Sequence, residues 1–185
     1  QLDEFMNFYK KFYIPNNATL SIAGDIDAAA TKELVEAYFG TIPAGTPVVQ
    51  PTVEEPALGG EKSLTVYDNI QLPAVMMGYR MPPQTSDDAY ALQMASTVLS
   101  GGPSSRMYKR LVDQDQTALQ VFAFPFTLEQ GGAFITFSLA NAGKGIDDMT
   151  PALEEEIEKL QTELISEREF EKIQNQMESG FIQSN

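Results

Sequence analysis

Histidine, cysteine and tryptophan are absent from all 185 residues. Without an imidazole or a thiol, the chain lacks the usual zinc ligands; only carboxylates remain, and those suit magnesium or calcium better. Ser-His-Asp and Cys-His catalysis are excluded with the missing base and nucleophile. A chain with no cysteine has no disulfide, which fits a cytoplasmic or a bacterial periplasmic setting equally. No stretch approaches the roughly 18 apolar residues of a membrane-spanning helix. No basic-then-apolar leader is visible either; the chain begins at Gln1 rather than Met, so any targeting segment would lie upstream.

Positive charge is also scarce, with 12 Lys and Arg against 26 Asp and Glu and a net charge of −14. A field of that sign repels nucleic acid and anionic membrane surfaces, and it tolerates a cationic partner or peptide. Solubility is its plainest consequence. With 43% apolar and 21% charged residues, the chain has the composition of a folded globular protein.

Leu2, Phe5, Tyr9 and Phe12 recur at helical spacing, so residues 2–12 are expected to form an amphipathic helix, broken by Pro15-Asn16-Asn17. Residues 18–23 alternate apolar and polar up to Gly24 and predict a strand. Asp27 is a good N-cap for a helix through Leu34, Val35, Tyr38 and Phe39, stopped by Gly40. Residues 41–60 hold Pro43, Pro47, Pro51 and Pro56 with Gly45, Gly59 and Gly60, and predict an extended surface connection.

Two strands are expected next, over 62–68 and 74–81, with Pro82-Pro83 closing the second. A helix starts at Ser86 or Asp87 and runs to Leu99. After Ser100-Gly101-Gly102-Pro103, Ser104 is expected to cap a short helix ending near Asp113. Residues 119–126 and 133–140 flank Glu129-Gln130-Gly131-Gly132 as an antiparallel hairpin. A final apolar stripe runs from Ile146 to Leu164, and Ser166-Glu167-Arg168-Glu169 restarts it as a capping box toward Phe181. Together these elements predict an α+β two-layer sandwich, a mostly antiparallel sheet covered by helices. With no stop signal before Asn185, residues 1–185 are expected to be one domain continuing past that end.

No catalytic, cofactor-binding or metal residue emerges. Gly24-Asp25-Ile26-Asp27 lacks the remaining ligands of a calcium loop. Gly143-Lys144-Gly145 lacks the rest of a P-loop. Gly101-Gly102-Pro103-Ser104-Ser105-Arg106 could hold an anion at a helix N-terminus, but a tight capped loop is the plainer reading, with Arg106 tying down the loop or a nearby carboxylate. Glu154, Glu155 and Glu156 are expected on a solvated helix face.

Three blocks nevertheless match a known family in order. The stretch from Phe8 through Pro15-Asn16-Asn17-Ala18-Thr19-Leu20 to Gly24-Asp25 resembles the entry to the second domain of pitrilysin/insulinase-type zinc metallopeptidases, which include the mitochondrial processing peptidase and its bacterial relatives. Tyr38-Phe39-Gly40-Thr41-Ile42-Pro43 and Leu99-Ser100-Gly101-Gly102-Pro103-Ser104-Ser105-Arg106-Met107-Tyr108-Lys109-Arg110-Leu111-Val112 resemble two later blocks. The resemblance implies a clamshell built of paired α+β domains. In each pair the first domain binds zinc through an inverted His-x-x-Glu-His helix and a distal Glu, and the second carries no metal.

On that footing this chain is the second, non-catalytic domain, and its zinc belongs to an upstream domain of the same polypeptide. The other implied partners are a second clamshell half, fused or separate, and peptide substrates. In family members that complete the active site, an Arg and a Tyr in the pattern Leu-Arg-Glu-x-x-Gly-x-x-Tyr contact substrate. The matching positions here are Val112 and Leu119, so the substrate-clamping pair is expected to be missing. A peptidase-like core subunit without proteolytic activity is the alternative, and a free-standing binding domain is a third.

Overall fold

The computed structural model describes residues 1–51 and 55–184, and the chain divides into two compact units, Gln1–Leu64 and Thr65–Asn185. The expected connection over 41–60 therefore falls partly outside the described residues.

In the second unit the order is β1 (Ala74–Met81), α3 (Asp87–Ser100), a π-helix (Tyr108–Gln114), β2 (Ala118–Thr127), β3 (Gly132–Ala140), α4 (Ile146–Thr162) and α5 (Glu167–Ser184). The strands form one antiparallel sheet in the order β1-β3-β2. The β2–β3 hairpin closes where Leu128 N–H donates to the Gly131 carbonyl at 2.8 Å. A side chain at Gly132 would collide with the Phe126 carbonyl, so glycine is required at that close approach.

Strand alternation gives the sheet two unlike faces. Val121, Ala123, Phe134, Thr136 and Ser138 turn inward and are buried. Leu99 of α3, Met107 and Leu111 around the π-helix, and Met149, Ala152 and Leu153 of α4 complete that core. Each large apolar side chain removed from water in this way contributes about 1.5–3 kcal/mol. The opposite face carries Phe122, Phe124, Phe126 and Met76 and stays exposed. An α+β fold of an antiparallel sheet with helices on one face is thus what forms.

The first unit holds α1 (Leu2–Phe12), a 3-10 turn at Pro15–Asn17 and α2 (Ala28–Phe39). Asp27 caps α2, its carboxylate accepting the Ala30 N–H at 2.8 Å. The Pro-Asn-Asn break has a clear local logic. Asn17 donates to the Phe12 carbonyl at the end of α1, at 2.9 Å. Asn16 both donates to the Gly45 carbonyl (3.1 Å) and accepts the Gly45 N–H (2.9 Å), so its carboxamide acts as a surrogate strand for the proline-rich stretch. No described residue of this unit is buried.

Four expectations are corrected. Residues 18–23 and 62–68 are not strands, because neither pairs with another strand among the described residues and an isolated strand has nothing to close its backbone groups. The expected short helix after the glycine loop does form, and it is π-helical over Tyr108–Gln114. Glu156 is buried at 6% exposure, because it lies three and four residues from Leu153 and Ala152 on the same stripe. The capping box is only half formed: Ser166 Oγ accepts the Glu169 N–H, but the Glu169 carboxylate is drawn away to Arg106.

Candidate functional site

The most distinctive segment runs from Gly101 to Leu119, and three departures from regular backbone fall inside it. A π-helix spans Tyr108–Gln114. Gln116 has φ +51°, a left-handed conformation rare for a residue with a side chain. The β2–β3 register slips between Ala118 and Gln120, which leaves Leu119 as the extra residue of a bulge. Asn141 steadies this turn by donating to the Gln116 carbonyl at 3.0 Å.

Side chains fix the loop at its other end. Ser105, not Ser104, is the buried serine at the start of the helix, and its hydroxyl donates to the Gly102 carbonyl at 2.6 Å. Ser104 is exposed and accepts from Lys172 Nζ at 3.0 Å. Arg106 is the tie expected from the sequence: its guanidinium donates twice to Glu169 of α5, at 3.0 and 2.8 Å. The bidentate pair, each side chain about one-fifth exposed, pushes Arg106 above the ordinary guanidinium range and Glu169 below the ordinary carboxylate range. These cations are thus committed to protein carboxylates and hydroxyls.

A second ionic cluster links the π-helix to α4. Arg110 donates to Asp115 at 2.6 Å and to Glu155 at 3.4 Å. Lys159 donates to the buried Glu156 at 2.9 Å and lies 3.3 Å from Glu155, and these carboxylates raise its pKa, Glu156 most. Among the described residues no three potential ligands gather to hold a metal ion. Among the described residues, the groups whose pKa is displaced, Arg106, Arg110, Lys159 and Glu169, are each paired with an oppositely charged side chain.

Val112 is partly buried and packs against the core from the π-helix. Leu119 is 46% exposed at the bulge. Neither offers a hydrogen bond or a charge to a ligand. What the sequence did not reveal is that the backbone stays irregular on both sides of these positions. Only the glutamine at a left-handed position, where the family pattern has glycine, could have hinted at it.

Apolar hollows lie in both units among the described residues. One, about 290 Å³, is lined in the first unit by Leu20, Ile22, Ile26 and Val35. The other, about 210 Å³, lies in the second unit against Leu92, Leu99, Phe134, Ile157 and Leu160.

The family model for the "Peptidase M16 inactive domain" matches residues 1–177. The zinc protease PqqE of Helicobacter pylori is 26% identical over 184 residues, which is 98% of this chain and 41% of that protein. The uncharacterized zinc protease YmxG of Bacillus subtilis is 22% identical over 182 residues, covering 98% of this chain and 43% of its own length. A solved protease from Helicobacter pylori superposes over 99% of this chain and 45% of that one, with a TM-score of 0.88 at 26% identity. A peptidase M16 inactive domain from Pseudomonas fluorescens shares the fold, with a TM-score of 0.72 at 14% identity over 96% of this chain and 42% of that one. The chain spans less than half the length of the curated relatives it matches.

Proposed function

This chain belongs to the peptidase M16 inactive-domain family, and from that premise we propose that it serves as the non-catalytic second domain of a zinc metalloendopeptidase. In this reading its two units act as one domain that packs on a zinc-bearing domain of the same polypeptide. The assembled halves, fused or separate, enclose peptide substrates, and the catalytic zinc is held upstream. The observation that carries the reading is the match over 1–177 in a chain with no histidine or cysteine. Uncovered apolar surface supports it: Leu2, Phe5 and Tyr9 of α1, Leu34 and Tyr38 of α2, and Phe122, Phe124 and Phe126 of β2 are all exposed.

Val112 and Leu119 define this domain's role further. It walls the chamber without supplying the polar pair that grips the peptide. The test compares the complete polypeptide with residues 1–185 for bound zinc and for cleavage of a quenched peptide. Stoichiometric zinc and chelator-sensitive cleavage are expected in the former and neither in the latter. A folded, zinc-free parent would leave the non-proteolytic core-subunit reading in its place.

A further inference from the structure

The helix that follows the glycine loop changes its winding as it runs. Near its start the Lys109 N–H donates to the Ser105 carbonyl at 3.0 Å, four residues back, as in an α-helix. At its end the Asp115 N–H donates to the Arg110 carbonyl at 2.9 Å, five residues back, which is the π-helical bond. The Thr117 N–H then reaches the Leu111 carbonyl at 2.9 Å, six residues back. The exit is pinned as well: Thr117 is buried, and its carbonyl accepts the Asn141 N–H at 2.8 Å.

One side-chain pair repeats the spacing of the π-helical bond. Arg110 Nε donates to Asp115 Oδ2 at 2.6 Å, so residues 110 and 115 are joined twice, by backbone and by side chain. In an α-helix, residues five apart stand about 140° apart around the axis, and side chains pair at three or four residues instead. The Arg110–Asp115 pair therefore belongs to the wider winding. From α4, Glu155 adds a second hold by accepting from Arg110 at 3.4 Å. The sequence also offers an α-helical alternative. Asp113, exposed and three residues from Arg110, is the carboxylate that an α-wound segment would set beside the guanidinium.

We infer that Arg110 is a positioning residue that selects the π-helical winding of Tyr108–Gln114 by taking Asp115 in preference to Asp113. Two carboxylates compete for one guanidinium, and each suits a different register. The choice reaches the rest of the segment. With Asp115 held, the chain leaves the helix late, Gln116 takes its left-handed backbone and Leu119 is left over as the bulge. Rewinding to α would give the Leu111 carbonyl to the Asp115 N–H, four residues on, and take it from Thr117. It would also turn residues 111–115 about the helix axis, and Val112 with them. Nothing in this step depends on the peptidase reading.

The pair is placed to select a register rather than to hold the fold together. The Arg110 and Asp115 side chains are 38% and 34% exposed, so their bond is open to water and screened by salt. Both windings close backbone N–H groups onto carbonyls of the same segment. Neither leaves a buried donor unpaired, so an ionic preference can decide between them.

The test removes each carboxylate in turn from the intact polypeptide. Asp115→Ala and Asp113→Ala both replace an exposed acid by the same good helix former, so helix propensity and core packing are matched between them. Crystal structures of the two variants are compared with that of the parent. In Asp115→Ala the N–H at position 115 is expected on the Leu111 carbonyl, a shift of one residue, with the Arg110 guanidinium on Asp113. Asp113→Ala is expected to keep that N–H on the Arg110 carbonyl. An unshifted bond in Asp115→Ala, or the same shift in both variants, would overturn the inference. Hydrogen exchange gives a second readout in solution. The Thr117 amide is expected to exchange about tenfold faster in Asp115→Ala than in Asp113→Ala, because it loses its acceptor. Equal rates would show that the core contacts of Leu111 and Thr117 set the winding without Arg110.

Discussion

Two helices with the same kind of apolar stripe meet opposite fates in this molecule. In α4, Met149 and Leu153 are fully buried against the sheet. In α1, Leu2 and Phe5 are 78% and 77% exposed, and the aromatic side chains mainly touch one another, Phe8 against Phe12 at 4.6 Å and Tyr9 against Tyr13 at 5.1 Å. The whole of each unit follows suit. Among the described residues, every buried apolar one lies between Met81 and Ile173, and the first unit buries none. An amphipathic pattern therefore states that a helix needs a cover; it does not supply one. The second unit brings its own sheet, and the first presents surfaces that a neighbouring domain is proposed to cover.

The largest effect that could break this contrast is a core truncation. Leu153→Ala should cost about 2–5 kcal/mol, since it leaves a cavity in a closely packed core. Leu34→Ala on the exposed face of α2 should stay within about 0.5 kcal/mol in the isolated chain. Urea denaturation of both variants checks it, and equal losses would mean that the first unit has a core after all. If the proposed zinc-bearing domain covers this face, adding it should sharpen the comparison by making Leu34→Ala costly.

Next comes the tie between the glycine loop and α5. Arg106→Ala should destabilise by about 1–3 kcal/mol, because it strips a partly buried carboxylate of a bidentate partner. Glu169 is held below its ordinary pKa by Arg106, so its contribution is fully present above the unfolded carboxylate value and fades as pH falls through the lowered folded one. The stability gap between the parent chain and Arg106→Ala should thus shrink on acidification below about pH 4. A gap that stays constant with pH would assign the cost to lost packing instead.

Smaller changes test the quality of the second unit's core. Thr136 Oγ1 is buried with no hydrogen-bond partner among the described residues. Thr136→Val should gain about 1 kcal/mol by replacing an unsatisfied hydroxyl with a methyl of similar size. A loss measured by thermal unfolding would show that the hydroxyl is satisfied in solution. The smallest effect is expected at Gln116, where glycine adopts the left-handed backbone at no steric cost. Gln116→Gly should gain somewhat under about 1 kcal/mol.

Much of this architecture is legible from local pattern. The helices at 2–12 and 28–39, the caps at Asp27 and Ser86 and the β2–β3 hairpin depend on contacts a few residues apart, so spacing reveals them. Family membership was legible too, through the blocks around Pro15-Asn16-Asn17, Tyr38-Phe39-Gly40 and Gly101-Gly102-Pro103. The candidate site was less so. Val112 and Leu119 could be picked out as the positions matching the expected clamping pair, but the π-helix and the bulge that surround them could not.

Periodicity and residue type were enough to establish an α+β class, a chain without histidine or cysteine and a net charge of −14. Tertiary contact alone decided the rest. It left residues 18–23 and 62–68 without strand partners, buried Glu156 beneath Lys159, and turned Glu169 from its own helix cap to Arg106, 63 positions away. The physical reason is range. A cap or a helical stripe is settled within one or two turns of chain, whereas a strand, a buried charge or a salt bridge exists only where distant segments meet.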